Sequence, residues 1–140
     1  MVGAQLGDTQ QIIGERRAKP LVLVVEDDAA IARLLERYLV RAQFDVVIAP
    51  SGADALELAR RRHPDVITLD LVLPGLSGHD VLNTLRQDEH TRDIPVVIIS
   101  IHGDETGVEA VPVFARLTKP LDRQLLIRTI SEACAQPCIY

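Results

Sequence analysis

Asp70 ends an apolar run, "DVITL", and is followed at once by a Pro and Gly loop, "LVLPGLSG". A carboxylate at the lip of an apolar strand is costly to desolvate unless it is paired, so it needs a partner or has a task. Four other polar residues stand in equivalent places: Glu26 and Asp27 follow "LVLVV", Ser100 ends "IPVVIIS", and Lys119 follows "ARLT". Two like charges about 4 Å apart repel by roughly 4 kcal/mol at an effective dielectric of 20. Glu26, Asp27 and Asp70, once brought together, therefore require a cation. Oxygen donors alone, with no His or Cys among them, favour a hard divalent ion such as Mg²⁺, which keeps several waters and takes up phosphate oxygens. Lys119 and the Ser100 hydroxyl then supply a positive charge and a hydrogen bond on the far side of the bound group.

These side chains meet only if the runs that precede them are strands of one sheet. Apolar runs at Leu21 to Val25, Asp45 to Ala49, Asp65 to Leu69, Ile94 to Ser100 and Ala115 to Thr118 read as five strands. Between them lie amphipathic segments. Ala29 to Arg41 puts Ile31, Leu34, Leu35, Tyr38 and Leu39 on one stripe, with Asp28 as its N-cap. Ser51 with Asp54 three residues on resembles a capping box, and that helix ends on Arg60, Arg61 and Arg62, a solvated basic turn that complements the helix dipole. Gly78 to about Asp88 turns Val81, Leu82 and Leu85 inward, and Asp122 to Cys134 does the same with Leu125, Leu126 and Ile130. A short helix is expected between Gly103 and Val111, giving about five in all.

Apolar strands separated by amphipathic helices predict an α/β fold, a doubly wound five-stranded parallel sheet covered on both faces. In the flavodoxin-like strand order 2-1-3-4-5, ligands bind outside the carboxyl ends of the strands, at the switch point between strands one and three. That is where Glu26, Asp27 and Asp70 converge.

The 140 residues suit one domain over 21–134, with a polar tail or linker over 1–20 and a short C-terminal tail over 135–140. Fifteen basic against twenty acidic side chains, a formal charge of -5, argue against direct nucleic-acid binding. Membrane insertion is not expected either, because no apolar stretch approaches the roughly 20 residues that span a bilayer. With no signal-peptide pattern, the expected location is cytoplasmic. Cys134 and Cys138 read as two free thiols.

From about Pro20 to Cys134 the sequence resembles the receiver domain of two-component response regulators. The motifs that carry the resemblance are "VVEDD", "LDLVLPGLSG", "VVIIS" and "LTKPL". The resemblance implies that Asp70 accepts a phosphoryl group from a histidine kinase or a histidine phosphotransfer protein. It implies Mg²⁺, with Mn²⁺ as an alternative, bound by Asp27, Asp70 and the backbone carbonyl of Val72, with Glu26 acting mainly through water. Ser100 and Lys119 would bind the phosphoryl oxygens, and Lys119–Pro120 would be a cis peptide. The chain would be a switch rather than an enzyme, a monomer or weak dimer acting on a downstream protein target.

Two positions depart from the family's pattern. Ile101 stands where a small residue usually leaves the site open, and Arg116 replaces the switch aromatic, a place that Phe114 could take only by a shift of strand register. Val72 and His102 occupy the positions that tune phosphoryl lifetime, and the valine, unable to orient water, predicts slow autodephosphorylation. Two other readings stay open: a receiver-like interaction module that works without phosphorylation, and a haloacid-dehalogenase-type phosphatase, which wants a second acid where Val72 stands. A single-domain regulator, a phosphorelay shuttle and a segment of a hybrid kinase are all compatible with the sequence.

Overall fold

A computed structural model of the chain describes residues 18–101 and 111–135. Five strands, β1 (Leu21–Val25), β2 (Asp45–Ala49), β3 (Val66–Leu69), β4 (Val96–Ser100) and β5 (Ala115–Thr118), form one parallel sheet in the order β2-β1-β3-β4-β5. The third and fourth strands begin one and two residues later than the apolar pattern suggests. Asp65 is drawn out of β3 because its carboxylate accepts the Leu21 N–H at 2.7 Å while its own N–H donates to the Leu21 carbonyl at 2.8 Å.

Four helices are described: α1 (Ala29–Arg41), α2 (Gly52–Arg62), α3 (Gly78–Gln87) and α4 (Arg123–Cys134). The helix expected between Gly103 and Val111 lies, but for its last residue, outside the described residues, as do the expected tail over most of 1–20, Cys138 and His102. Each helix starts on a side-chain cap: Asp28 accepts from Ala30 and Ile31, Ser51 from Asp54, Ser77 from Asp80, and Asp122 from Gln124 and Leu125. The expected capping box at α2 closes differently. Asp54 is too short to reach back to the Ser51 N–H and instead accepts the Ser51 hydroxyl at 3.0 Å.

The alternation along each strand divides the core in two. Leu23, Val25, Ile67, Leu69 and Ile98 pack with residues of α2 and α3, whereas Val22, Val24, Val97 and Ile99 pack with Leu35 and Leu39 of α1 and Leu126 and Ile130 of α4. Two expected core residues are corrected here: Leu34 and Leu125 are each 39% exposed. Ala32 of α1 and Thr129 of α4 are buried instead, because each helix is rolled so that its inward face centres elsewhere. Arg60 and Arg61 are ion-paired, to Asp88 at 3.1 Å and Glu57 at 3.2 Å, rather than simply solvated. Cys134 is a free, half-buried thiol that burial and the nearby Asp65 charge push up to about 11.

Candidate functional site

Ladder bonds fix the backbone of the polar residues just past the strands. The Glu26 N–H donates to Ala49 at 3.1 Å, the Asp70 N–H to Val25 at 3.1 Å, and the Lys119 N–H to Ser100 at 2.8 Å. The loop after Asp70 is equally constrained. Gly75 takes φ +72°, a left-handed conformation that favours glycine, and Ser77 then caps α3. Gly78 presses against the strand end: its N–H donates to Leu71 at 3.2 Å, and a Cβ placed there would lie 2.4 Å from the Leu71 Cα and 2.7 Å from the Asp70 carbonyl oxygen. A glycine at the first turn of α3 is thus what lets the helix seat directly behind Asp70.

The side chains then meet at one point. Lys119 Nζ donates to Glu26 Oε1 at 3.0 Å and to Asp70 Oδ2 at 3.1 Å. The other oxygen of Asp70, Oδ1, accepts the Val72 N–H at 2.9 Å, and Glu26 Oε2 accepts the Asp28 N–H at 3.3 Å. Lys119, expected to face the bound group, pairs directly with both carboxylates.

Glu26 and Asp70 are buried and Asp27 is exposed, and one carboxylate oxygen from each lies within 4.8 Å of the others. Burial pushes the Glu26 carboxyl up from 4.5 to about 7; Lys119 works against that rise and the Asp70 charge adds to it. Burial works against the Lys119 ammonium, yet its hydrogen bonds to Glu26 and Asp70 leave it above the ordinary lysine value. Glu26 and Asp70 therefore share one ammonium, with Asp27 as a third acid beside them. An all-oxygen donor set with surplus negative charge fits a hard divalent cation.

Ser100 ends β4, buried, with its carbonyl holding the Lys119 backbone. Val72 and Ile101 flank the site with side chains that are each 62% exposed. The Lys119–Pro120 peptide is cis. Arg116 pairs in register with Ile98, half-buried, so β5 has not slipped and Phe114 lies before the strand, packed on the core. Sequence reasoning missed the amides of Asp28 and Val72, which no residue type announces, and Gly78, whose signal was a glycine directly after a serine cap.

The family model described as the response regulator receiver domain matches residues 22–131. The regulatory protein LuxO of Vibrio cholerae is 40% identical over 113 residues, covering 79% of this chain and 24% of that protein. This chain thus spans about a quarter of LuxO, and likewise of the response regulator PleD of Caulobacter vibrioides. The polar-differentiation response regulator DivK of Brucella ovis is 34% identical over 112 residues, covering 78% of this chain and 91% of DivK. Among solved structures, a sensor protein from Polaromonas sp. JS666 superposes with TM-score 0.78 at 37% identity, over 82% of this chain and 95% of that one. The receiver domain of sensor histidine kinase PA1611 from Pseudomonas aeruginosa, solved with a magnesium ion in its active-site cleft, has TM-score 0.78 at 24% identity, over 85% of this chain and all of that one, a likeness of fold.

Proposed function

Because the chain belongs to the response regulator receiver domains, we propose that Asp70 accepts a phosphoryl group from the phosphohistidine of a histidine kinase or histidine phosphotransfer protein and thereby switches contacts with a downstream protein. The observation that carries this reading is Asp70 itself: a nearly buried carboxylate at a strand end, one oxygen held by Lys119 and the other by the Val72 N–H, beside two further acids. A carboxylate oxygen of Asp70 attacks phosphorus as the phosphorus–nitrogen bond breaks; the electron pair leaves with the imidazole, and an acyl phosphate forms on Asp70.

Such transfers proceed through a loose transition state and depend on in-line positioning and on neutralising the phosphoryl oxygens. Lys119 turns from Glu26 and Asp70 to the phosphoryl oxygens, and the Ser100 hydroxyl donates to one of them. Glu26, Asp27, Asp70 and the Val72 carbonyl are the groups that would hold Mg²⁺ or Mn²⁺, and the metal supplies charge neutralisation at the transferring oxygens. The PA1611 receiver domain, of the same fold, holds a magnesium ion in its active-site cleft. Phosphorylated Asp70 carries up to about -2 charge, enough to draw Ser100 inward and reorder the loop beside it.

The exposed side chain of Val72 cannot orient water, which favours a long-lived phosphoryl group with His102 as the remaining residue to direct one, and the exposed Ile101 narrows the approach. Val72 also argues against the phosphatase reading, since no second acid stands two residues after Asp70. In this reading the chain is a cytoplasmic switch, monomeric or weakly dimeric. Among the described residues no helix is long and apolar enough to cross a membrane. Incubation with acetyl phosphate and Mg²⁺, followed by intact mass measurement, tests the reading. Wild type gains one acid-stable, base-labile adduct of phosphate mass and Asp70→Asn gains none; equal labelling of both, or of neither, overturns it.

A further inference from the structure

Helix α3 touches the acidic site at one end and the root of β5 at the other. At its N-terminus the Gly78 N–H donates to Leu71 at 3.2 Å, and a Cβ there would clash with the Asp70–Leu71 peptide, so the helix is seated directly on that peptide. Val81, Leu82 and Leu85 are fully buried along its length, and ten residues of α-helix, about 15 Å, move as one piece.

In its last turn the half-buried Arg86 donates to three carbonyls. Nε reaches Pro112 at 3.0 Å, while Nη1 reaches Arg92 at 3.0 Å and Ile94 at 2.8 Å. Arg92 and Ile94 lead into β4, but Pro112 leads into β5. The approach to β5 is thereby pinned on two sides, to β4 by the Phe114 N–H on Val96 at 2.8 Å and to α3 by Arg86. A cavity of about 230 Å³ opens beside Arg86 between Ile94, Pro95, Pro112 and Phe114, and the charge-assisted hydrogen bond from Arg86 bridges α3 to Pro112 across its edge.

The geometry points to Arg86 as a positioning residue that carries movement of the Asp70 loop, through α3, to the root of β5. The inference rests on Asp70 being the phosphoacceptor, and it names the element whose position reports that event. Two packed segments joined by a rigid helix and a charge-assisted hydrogen bond have the physical continuity such coupling needs.

Hydrogen exchange on the full chain, with Mg²⁺ and with or without beryllofluoride as the phosphoryl stand-in, tests it. In wild type, beryllofluoride changes exchange over both 70–77 and 113–115, the root of β5 away from Lys119. In Arg86→Met, which keeps the aliphatic stem, the change over 70–77 persists, the change over 113–115 disappears, and basal exchange over 113–115 is faster by about tenfold or more. Arg86→Lys keeps the charge and one donor direction, and shows a reduced change; should Arg86→Met fail to fold by circular dichroism, this variant decides. A response over 113–115 that survives both substitutions overturns the proposal, as does a wild type that responds over 70–77 alone. A wild type with no response over 70–77 contradicts the phosphoacceptor reading itself, and the coupling with it.

Discussion

The two edges of the sheet treat their polar groups in opposite ways. At the amino edge, Asp65 and Leu21 exchange two hydrogen bonds, and the buried Thr91 hydroxyl donates to Leu85 at 2.7 Å. Asp88 there accepts from Arg60, from the His90 N–H and from His90 Nδ1, and the His90 backbone bond above all holds its carboxyl below the usual range. At the carboxyl edge, Glu26 and Asp70 share the Lys119 ammonium with Asp27 beside them, and burial pushes the Glu26 carboxyl up to about 7. One edge spends its polar groups on holding strands and helices together, while the other leaves them short of positive charge. That difference marks where a cation and an anionic group are to be received.

Breaking the amino edge has the largest expected effect on stability. Asp65→Ala leaves the buried Leu21 N–H without its carboxylate and lowers unfolding free energy by about 1–3 kcal/mol in urea titrations, while labelling by acetyl phosphate persists. Loss of labelling in a folded Asp65→Ala would mean that the edges are not separate in role.

The carboxyl edge responds to pH instead. Folding raises the Glu26 carboxyl from 4.5 to about 7, so the stability gained from its protonation is fully present below pH 4.5 and is lost as pH rises through about 7. Thermal melts of the metal-free protein are expected to fall between pH 5 and pH 8, and Glu26→Gln to flatten that fall. An unchanged slope in the variant assigns the effect to other groups.

The smallest effect belongs to the interior between the edges. The Thr68 hydroxyl is buried with no hydrogen-bond partner among the described residues, so Thr68→Val is expected to stabilise by about 0.5–1 kcal/mol in the same titrations. A loss of stability would reveal a partner for that hydroxyl.

The sequence was most legible where a single period decides the outcome. Mostly apolar runs bounded by acids or prolines located the strands, and the strand-end acids are brought together as their placement implied. Legibility failed where tertiary contacts compete with pattern. Leu34 and Leu125 fit a helical stripe, yet the roll of each helix is set by its neighbours, and both emerge at the surface. Asp65 has the pattern of a strand residue, but its carboxylate is taken by the start of β1. Lys119 was readable as a cation at the site; its position on the carboxylates depends on a pairing across 93 residues to Glu26 and 49 to Asp70, which local pattern does not encode. Arg86 reads as an ordinary last-turn arginine until Pro112 is seen beneath it.

The carboxyl edge is expected to receive a phosphoryl group on Asp70 and on no other acid of the cluster. Peptide mapping of the wild-type protein after reaction with acetyl phosphate and Mg²⁺ checks this. After digestion with pepsin at acid pH, where the acyl phosphate survives, the added phosphate mass lies on the peptide that carries Asp70, and fragmentation places it on that residue. Phosphate found on the peptide that carries Glu26 and Asp27 instead would contradict it.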